Sequence, residues 1–385
     1  MKDTTISDSI FYVGADDTTL DLFESQYIVP EGVSYNSYVI MDDKITIMDT
    51  VDQRATEEWI ANVKNVLKDK TPAYLVVSHM EPDHAANIQK IAEMYPEMKI
   101  IGNAKTFSMM PQFFDFDLSN RSVVVKEGEE ISLGAHTLQF FMAPMVHWPE
   151  VMVTYEKSEK ILFSADGFGK FGALSVEADW ACEARRYYFN IVGKYGAQVQ
   201  ALLKKAATLD IQMICPLHGP ILKENLGYYI DKYNIWSSYE PEDEGVLVAY
   251  ASIHGNTAHA AKTLKGKLEK KGVQVNICDL TVTDLSYAVA SAFYCGKLVL
   301  ASATYDGGLF PPMREFLEHL QTKGFRNRRV GLIEDGSWAP DAARLMRTKL
   351  EEMKDIHLYE TVVSLRGALN QTSEAQMDAL VAELC

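Results

Sequence analysis

The chain has 385 residues, of which 47% are hydrophobic, 23% charged and 10% aromatic, and its formal net charge is −16. That composition excludes the dilute-apolar signature of disorder, and the sign of the charge excludes nucleic-acid binding by phosphate neutralisation. At roughly 150 residues per domain, the length predicts two or three domains, each burying its own core.

In chain order, NSYVIM and KITIMDT read as a hairpin turning at Asp42 and Asp43, followed by a helix over 56–68, the apolar strand AYLVVS and a helix over 85–94. The stretches SVVVKEGEEISLG, HTLQFFMAP, VMVTYEKSEKILFS and MICPLHG are β-rich, with longer helices predicted over 181–207 and 222–237. The result is an α/β layered domain whose strand ends feed loops carrying His and carboxylates. Residues 237–245 are acidic and punctuated by Pro and Gly, the composition of a linker. They divide a domain of residues 1–245 from one of residues 246–385. From Val246 onward 16 Lys+Arg balance 16 Asp+Glu, so the first domain carries the whole charge imbalance. Beyond the linker, short apolar runs alternate with helical patterns through five strand–helix units. That is the rhythm of a five-stranded, doubly wound parallel sheet.

No apolar run approaches the roughly 18 residues of a membrane helix, and the opening MKDTTISDSIFYVG has no basic region leading into an apolar stretch. The expectation is a cytoplasmic chain without a membrane partner. The five cysteines, Cys182, Cys215, Cys278, Cys295 and Cys385, include no CxxC pair. This fits a reducing compartment and removes the thiolate frameworks of structural zinc, iron–sulfur clusters and rubredoxin modules.

The loop after AYLVVS contains His79, Glu81, Asp83 and His84, four potential ligands within six residues at the end of an apolar strand. His147 in MVHWPE, Asp166 in ILFSADGFG and His218 in MICPLHGP sit in similar settings. A lone residue of this kind is usually a turn former or a satisfied polar group. Seven at successive strand ends point instead to a metal centre. On these residues, and on PEGVSYNSYVIMDDKITIMDTV near the start, the chain resembles the flavodiiron proteins along its whole length. The resemblance implies an αββα metallo-β-lactamase-like domain followed by a flavodoxin-like domain. It implies a di-iron centre in which His79, Glu81 and His147 bind one iron, Asp83, His84 and His218 bind the other, and Asp166 bridges them. Zinc hydrolases of that fold generally have His where this chain has Glu81, and the hard carboxylate moves the site towards non-haem iron. Ligand softness alone leaves zinc and manganese open.

In the second half, the first strand runs into Ser252, His254, Gly255, Asn256 and Thr257, which then open a helix and so suit a phosphate at its N-terminus. The third strand leads to Ser302, Ala303, Thr304, Tyr305, Asp306, Gly307 and Gly308, and the fourth to Gly336, Ser337 and Trp338. All three loops follow the carboxyl ends of strands, where open α/β sheets bind ligands. They resemble the phosphate and isoalloxazine loops of flavodoxins, which implies FMN. His254 departs from the small residues usual in that phosphate loop. No GxGxxG fingerprint is present, which disfavours a nicotinamide cofactor.

A flavin fused to a metal pair suits electron relay and has no role in hydrolysis. The family resemblance therefore implies reduction of dioxygen to water, of nitric oxide to nitrous oxide, or both, as a defence against oxidative and nitrosative stress. It also implies a head-to-tail homodimer or dimer of dimers, with an external donor such as a rubredoxin or similar small redox protein. Lys262, Lys265, Lys270, Lys271, Arg326, Arg328 and Arg329 are candidate basic contacts for an acidic donor, or solvated surface charges. Two alternatives remain on sequence alone. One is a zinc hydrolase with an accessory flavodoxin-like domain, the other a gas-sensing flavoprotein without turnover. Trp148, Phe168 and Tyr195 read first as packing residues beside the centre.

Overall fold

The structure, a computed structural model, describes residues 6–177 and 179–385. The opening residues 1–5, part of the segment read as leader-free, lie outside them. The chain divides into two compact units, one of Met1–Tyr188 with Tyr195–Asn234 and one of Phe189–Lys194 with Ile235–Cys385.

Among the described residues the first unit holds two large sheets and two small two-stranded ones, Ala15–Asp17 with Val33–Tyr35 and Leu22–Phe23 with Tyr27–Ile28. Of the large sheets, one runs β1 (Ile10–Tyr12), β2 (Tyr38–Ile40), β3 (Thr46–Met48), β4 (Tyr74–Val76), β5 (Lys99–Gly102) and β6 (Ser122–Val124) in spatial order. Its first two pairings are antiparallel and the remaining three parallel. The other runs β7 (Glu130–Ser132), β8 (Thr137–Met142), β9 (Met152–Glu156), β10 (Ile161–Phe163) and β11 (Met213–Cys215), antiparallel except for the final β10/β11 pair. Alternate residues of the two sheets meet in one core that joins Ile10, Tyr38, Met48, Val76 and Ile101 to Leu138, Phe140, Met152, Phe163 and Cys215. Burial on this scale drives the sandwich.

Helix α1 (Thr56–Leu67) buries Trp59, Ile60, Val63 and Leu67 at helical spacing, with Glu57 and Glu58 in its first turn. The helix predicted over 85–94 is two pieces, α2 (Pro82–Ala85) and α3 (Ile88–Met94). Pro82 at the first helical position starts α2 inside the ligand loop itself. Asn103 caps α4 (Ala104–Met109) by accepting from the N–H groups of Lys105 and Thr106. The long helix predicted over 181–207 is also interrupted. α5 (Trp180–Tyr187) passes through a π turn, Tyr188–Val192, and a 3-10 turn, Gly193–Tyr195, before α6 (Gly196–Ala206). Helix α7 covers Leu226–Ser237.

The second unit has β12 (Asp243–Ala251), α8 (Asn256–Glu269), β13 (Val275–Asp279), α9 (Leu285–Tyr294), β14 (Cys295–Tyr305), α10 (Pro311–Thr322), β15 (Arg328–Asp335), α11 (Ala342–Glu351), β16 (Ile356–Leu365) and α12 (Gln371–Leu384). These strands pair in the order β13-β12-β14-β15-β16, all parallel. This is the doubly wound topology predicted from the alternation, with its switch point between β12 and β14. Apolar faces of α8 and α12 close one side, with Ala260, Leu264, Met377 and Leu380 packing on Val248, Val299 and Ile333. The acidic segment read as a linker is firmly held. The Trp236 indole donates to Glu242 at 2.7 Å, the Tyr239 hydroxyl donates to the Gly193 carbonyl at 2.8 Å, and β12 begins at Asp243.

Candidate functional site

Each of the seven candidate ligands leaves the carboxyl end of a strand of the sandwich. Beyond β4, Asp49 takes the Ser78 N–H at 2.6 Å and the Ser78 hydroxyl at 2.7 Å, setting the direction of the chain into His79. Burial pushes the Asp49 carboxyl up to about 6. Beyond β10, the Ser164 hydroxyl donates to the Gly167 carbonyl at 2.6 Å, closing a turn in which Ala165 and Phe168 adopt positive φ and Asp166 is presented between them. Beyond β11, Asn36 donates to the carbonyls of Pro216 and Gly219, both at 2.8 Å, while the Gly219 N–H donates to Ser34 Oγ at 2.7 Å. Gly219 has φ +80°, and a Cβ there would sit 2.7 Å from Lys170 Cγ, so only glycine makes this turn.

The seven side chains form two clusters, His79, Glu81, His147 and Asp166, and Asp83, His84 and His218, in each of which the ligand atoms lie within 4.8 Å of one another. His147 Nε2 lies 2.8 Å from Glu81 Oε2 and 3.1 Å from Asp166 Oδ2, and His79 Nε2 lies 3.3 Å from that same Asp166 oxygen. His218 Nε2 is 3.1 Å from Asp83 Oδ2 and 4.0 Å from Asp166 Oδ1. One oxygen of Asp166 therefore faces each cluster. His79 Nε2, His147 Nε2, Asp83 Oδ1 and both Asp166 oxygens are buried without an aligned hydrogen-bond partner among the described residues. They converge on common points rather than on one another, the arrangement a cation satisfies.

Two imidazoles are set for metal ligation by their backbone partners. Nδ1 of His84 meets the Thr50 carbonyl at 3.2 Å and Nδ1 of His218 meets the Ser34 carbonyl at 2.8 Å. A carbonyl only accepts, so each Nδ1 bears the hydrogen and each neutral ring has its lone pair on Nε2. Those two Nε2 atoms face each other at 3.3 Å. A shared cation resolves the opposition of the lone pairs, and the backbone carbonyls fix both tautomers for ligation.

Burial opposes charge on His147, yet the adjacent carboxylates of Asp166 and Glu81 raise it to about 10. Glu81 is held down at about 2 by His147 and His79 against its own burial. Burial and the neighbouring imidazoles of His218 and His79 push His84 well below its ordinary value. Without a metal, imidazolium protons balance the three carboxylates. Two divalent cations supply that charge instead, and their binding releases protons. Phe23, Tyr35 and Tyr187 wall the cluster, with ring centroids 5.4–6.1 Å from His218. None of the three stood out in the sequence.

In the second unit, a cavity of about 510 Å³ opens at the carboxyl edge of the sheet, within the range of small-molecule sites. His254, Asn256 and Thr257 line it, as do Ala303 through Gly307 and Gly336 through Trp338. Ser252, Gly255, Ser302 and Gly308 do not. The Ser252 hydroxyl accepts from the Gly255 N–H at 3.1 Å, the Ser302 hydroxyl turns to the Ala303 carbonyl, and Gly308 pairs back on Tyr305. Ile253, Asp335, Ala339 and Gly367 also line it. The first three adjoin residues already singled out, whereas Gly367, beyond the fifth strand, carries no local signal. Gly255 takes φ +94° ahead of α8, whose first residues reach the cavity with their free N–H groups. Tyr305 and Trp338 stand beside it 45% and 89% exposed, as ring partners of a planar ligand would.

One expectation about the surface is corrected. Arg328 is buried, donating to the carbonyls of Tyr239, Phe293 and Cys295, so it is no docking charge. Lys265 pairs with Glu269, and Arg329 lies 3.8 Å from Glu244.

A sandwich bearing paired His/carboxylate clusters and a doubly wound unit with a mononucleotide-sized cavity define a metallo-β-lactamase-like, flavodoxin-like architecture. A family model described as ODP family beta lactamase matches residues 33–219. An uncharacterized protein of Methanocaldococcus jannaschii is 33% identical over 324 residues, 82% of this chain and 81% of that protein. A nitric oxide reductase of Moorella thermoacetica is 30% identical over 363 residues, 91% of this chain and 90% of that one. Among solved structures, the rubredoxin oxygen:oxidoreductase of Desulfovibrio gigas superposes with TM-score 0.91 at 26% identity, covering 99% of this chain and 97% of that chain. The flavodiiron protein of Giardia intestinalis shares the fold with TM-score 0.92 at 24% identity, covering 100% and 96%. The chain belongs to the flavodiiron protein family. No helix among the described residues is long and apolar enough to cross a membrane.

Proposed function

We propose that the chain is an oxidoreductase that reduces dioxygen to water, nitric oxide to nitrous oxide, or both, using a di-iron pair held in residues 1–245 and FMN held in residues 246–385. His79, Glu81 and His147 would bind one iron, Asp83, His84 and His218 the other, with Asp166 between them. The observation that carries this reading is Asp166, whose two oxygens face the two clusters separately. The flavin cavity supports redox chemistry over hydrolysis, as do the relatives named nitric oxide reductase and rubredoxin oxygen:oxidoreductase.

When bound, the irons supply open positions for the gas and the flavin supplies electrons. The chain's own residues do the rest. Backbone carbonyls at Thr50 and Ser34 keep His84 and His218 in the ligating tautomer. Phe23, Tyr35 and Tyr187 exclude water from the second cluster. Burial and the surrounding carboxylates hold the Tyr187 phenol well above its ordinary value, so it stays protonated as a hydrogen-bond donor. Asn256, Thr257 and the N-terminus of α8 receive the phosphate, while Tyr305 and Trp338 flank the ring.

The proposal extends to a cytoplasmic, head-to-tail homodimer or dimer of dimers, reduced by a rubredoxin or similar small redox protein. The test is to reduce the purified protein without oxygen, then follow dioxygen and nitric oxide consumption in parallel electrode cells. Iron, zinc and FMN per chain are determined on the same sample. Two irons, one FMN and gas consumption are expected. A colourless, zinc-only chain that cleaves an ester or amide contradicts the proposal.

A further inference from the structure

The loop carrying His147 ends in a carboxylate that the ligand clusters do not use. Glu150 is 1% exposed, and its Oε1 accepts the Met80 N–H at 2.6 Å. Met80 is fully buried between His79 and Glu81. The Glu150 carbonyl accepts from Asn103 Nδ2 at 2.6 Å, and Asn103 in turn caps α4. Two residues on, the Met152 N–H donates to the Ser78 carbonyl at 2.9 Å. The segment from Glu150 to Met152 thus grips residues 78–81 from both sides, joining the loop of His147 to the loop of His79 and Glu81. Glu150 Oε2 is buried without a partner among the described residues, a cost that an ordinary loop contact would not retain.

We propose that Glu150 is the positioning residue of the first metal subsite. By holding the peptide N–H between His79 and Glu81, its carboxylate fixes the register in which those two ligands meet His147. The contact reaches only one cluster. Asp83 and His84 follow in α2, held through the Thr50 pair with the His84 carbonyl and Nδ1, and His218 is fixed by Ser34. Loss of the Glu150 contact should therefore weaken one of two metal subsites and spare the other. The inference rests on the two-metal reading of the clusters.

The discriminating experiment uses the full chain, depleted of metal and titrated with Co²⁺, whose visible absorption reports the geometry of each subsite. Glu81→Gln assigns the first subsite and Asp83→Asn the second. Glu150→Met fills the same volume but cannot accept the Met80 N–H, whereas Glu150→Gln keeps an acceptor oxygen. Glu150→Met is expected to weaken the first subsite about 10- to 100-fold, as loss of an outer-shell partner does, and to leave the second unchanged. Glu150→Gln is expected to restore the first subsite to near wild-type affinity. FMN content and circular dichroism establish that each variant is folded. Should Glu150→Met fail to fold, Asn103→Ala, which frees the Glu150 carbonyl, is expected to give the same one-sided weakening to a smaller degree. Equal weakening of both subsites, no weakening, or no recovery in Glu150→Gln overturns the proposal. A wild-type chain that takes up fewer than two Co²⁺ ions overturns the two-metal reading, and this proposal with it, before any substitution is made.

Discussion

Replacing Asp166 with Asn keeps the size of the side chain but removes the charge that both clusters share. The carboxylate is 1% exposed, 3.1 and 3.3 Å from the first-cluster imidazoles and 4.0 Å from His218 of the second. Removing one partner from a buried charge cluster costs about 3–5 kcal/mol. At about 1.4 kcal/mol per decade, this is a loss of roughly two to three and a half decades in metal affinity, divided between the two ions. Competition for Zn²⁺ between the metal-depleted chain and a chromophoric chelator at neutral pH measures both constants. Asp166→Asn is predicted to lower both, whereas Glu81→Gln lowers the first and Asp83→Asn the second. Wild-type affinities in Asp166→Asn, or loss of a single ion, would refute the bridging geometry.

Glu81→His is predicted to shift the bound metal from iron towards zinc and to abolish gas consumption, as metal content and electrode traces after parallel purification will report; unchanged iron and turnover count against the role of Glu81. Trp338→Ala should raise the FMN dissociation constant roughly 2- to 10-fold, the worth of one aromatic stacking contact, as read by fluorescence titration. Stability should depend on pH at a cluster where His136 lies 2.8 Å from Asp42 and 3.2 Å from Glu159. Burial opposes charge on His136, but hydrogen bonds to Asp42 and Glu159 raise it. Asp42 is held at about 2 against burial by N–H groups and by His136. The raised imidazole stabilises below its unfolded value and loses that effect as pH rises through its folded value. The depressed carboxylate stabilises above its unfolded value and loses the effect as pH falls towards 2. Urea unfolding of His136→Asn should therefore show a deficit of about 1.5–3 kcal/mol, the worth of hydrogen bonds to charged groups, largest between about pH 4 and 6.5 and shrinking above it. A deficit that grows with pH would contradict the assignment.

The ligand set was legible because each residue follows an apolar strand, and the five strand–helix units because a buried parallel sheet writes its strands as continuous apolar runs. The residues that support the site carry no such mark. Asp49, near the end of the strand KITIMDT, and Glu150, at the end of MVHWPE, look like ordinary acidic residues until the fold buries them against Ser78 and Met80. Tyr35 stands between Ser34 and Asn36 and Tyr187 follows Arg185 and Arg186, and nothing in either stretch marks a wall of the site. The π turn at Tyr188–Val192 was hidden because the apolar residues around it continue the helical pattern on either side. Arg328 stands in the charged run RNRR, which reads as solvated, yet its guanidinium caps three buried carbonyls.

Flavin electrons are expected to leave through the metal pair. Stopped-flow mixing of the reduced, iron-loaded protein with dioxygen or nitric oxide, beside the same protein reconstituted with zinc, follows the return of the oxidised flavin absorption. Rapid, complete reoxidation by at least one gas is expected with iron, and slow reoxidation with zinc. Equal rates in the two preparations would contradict it.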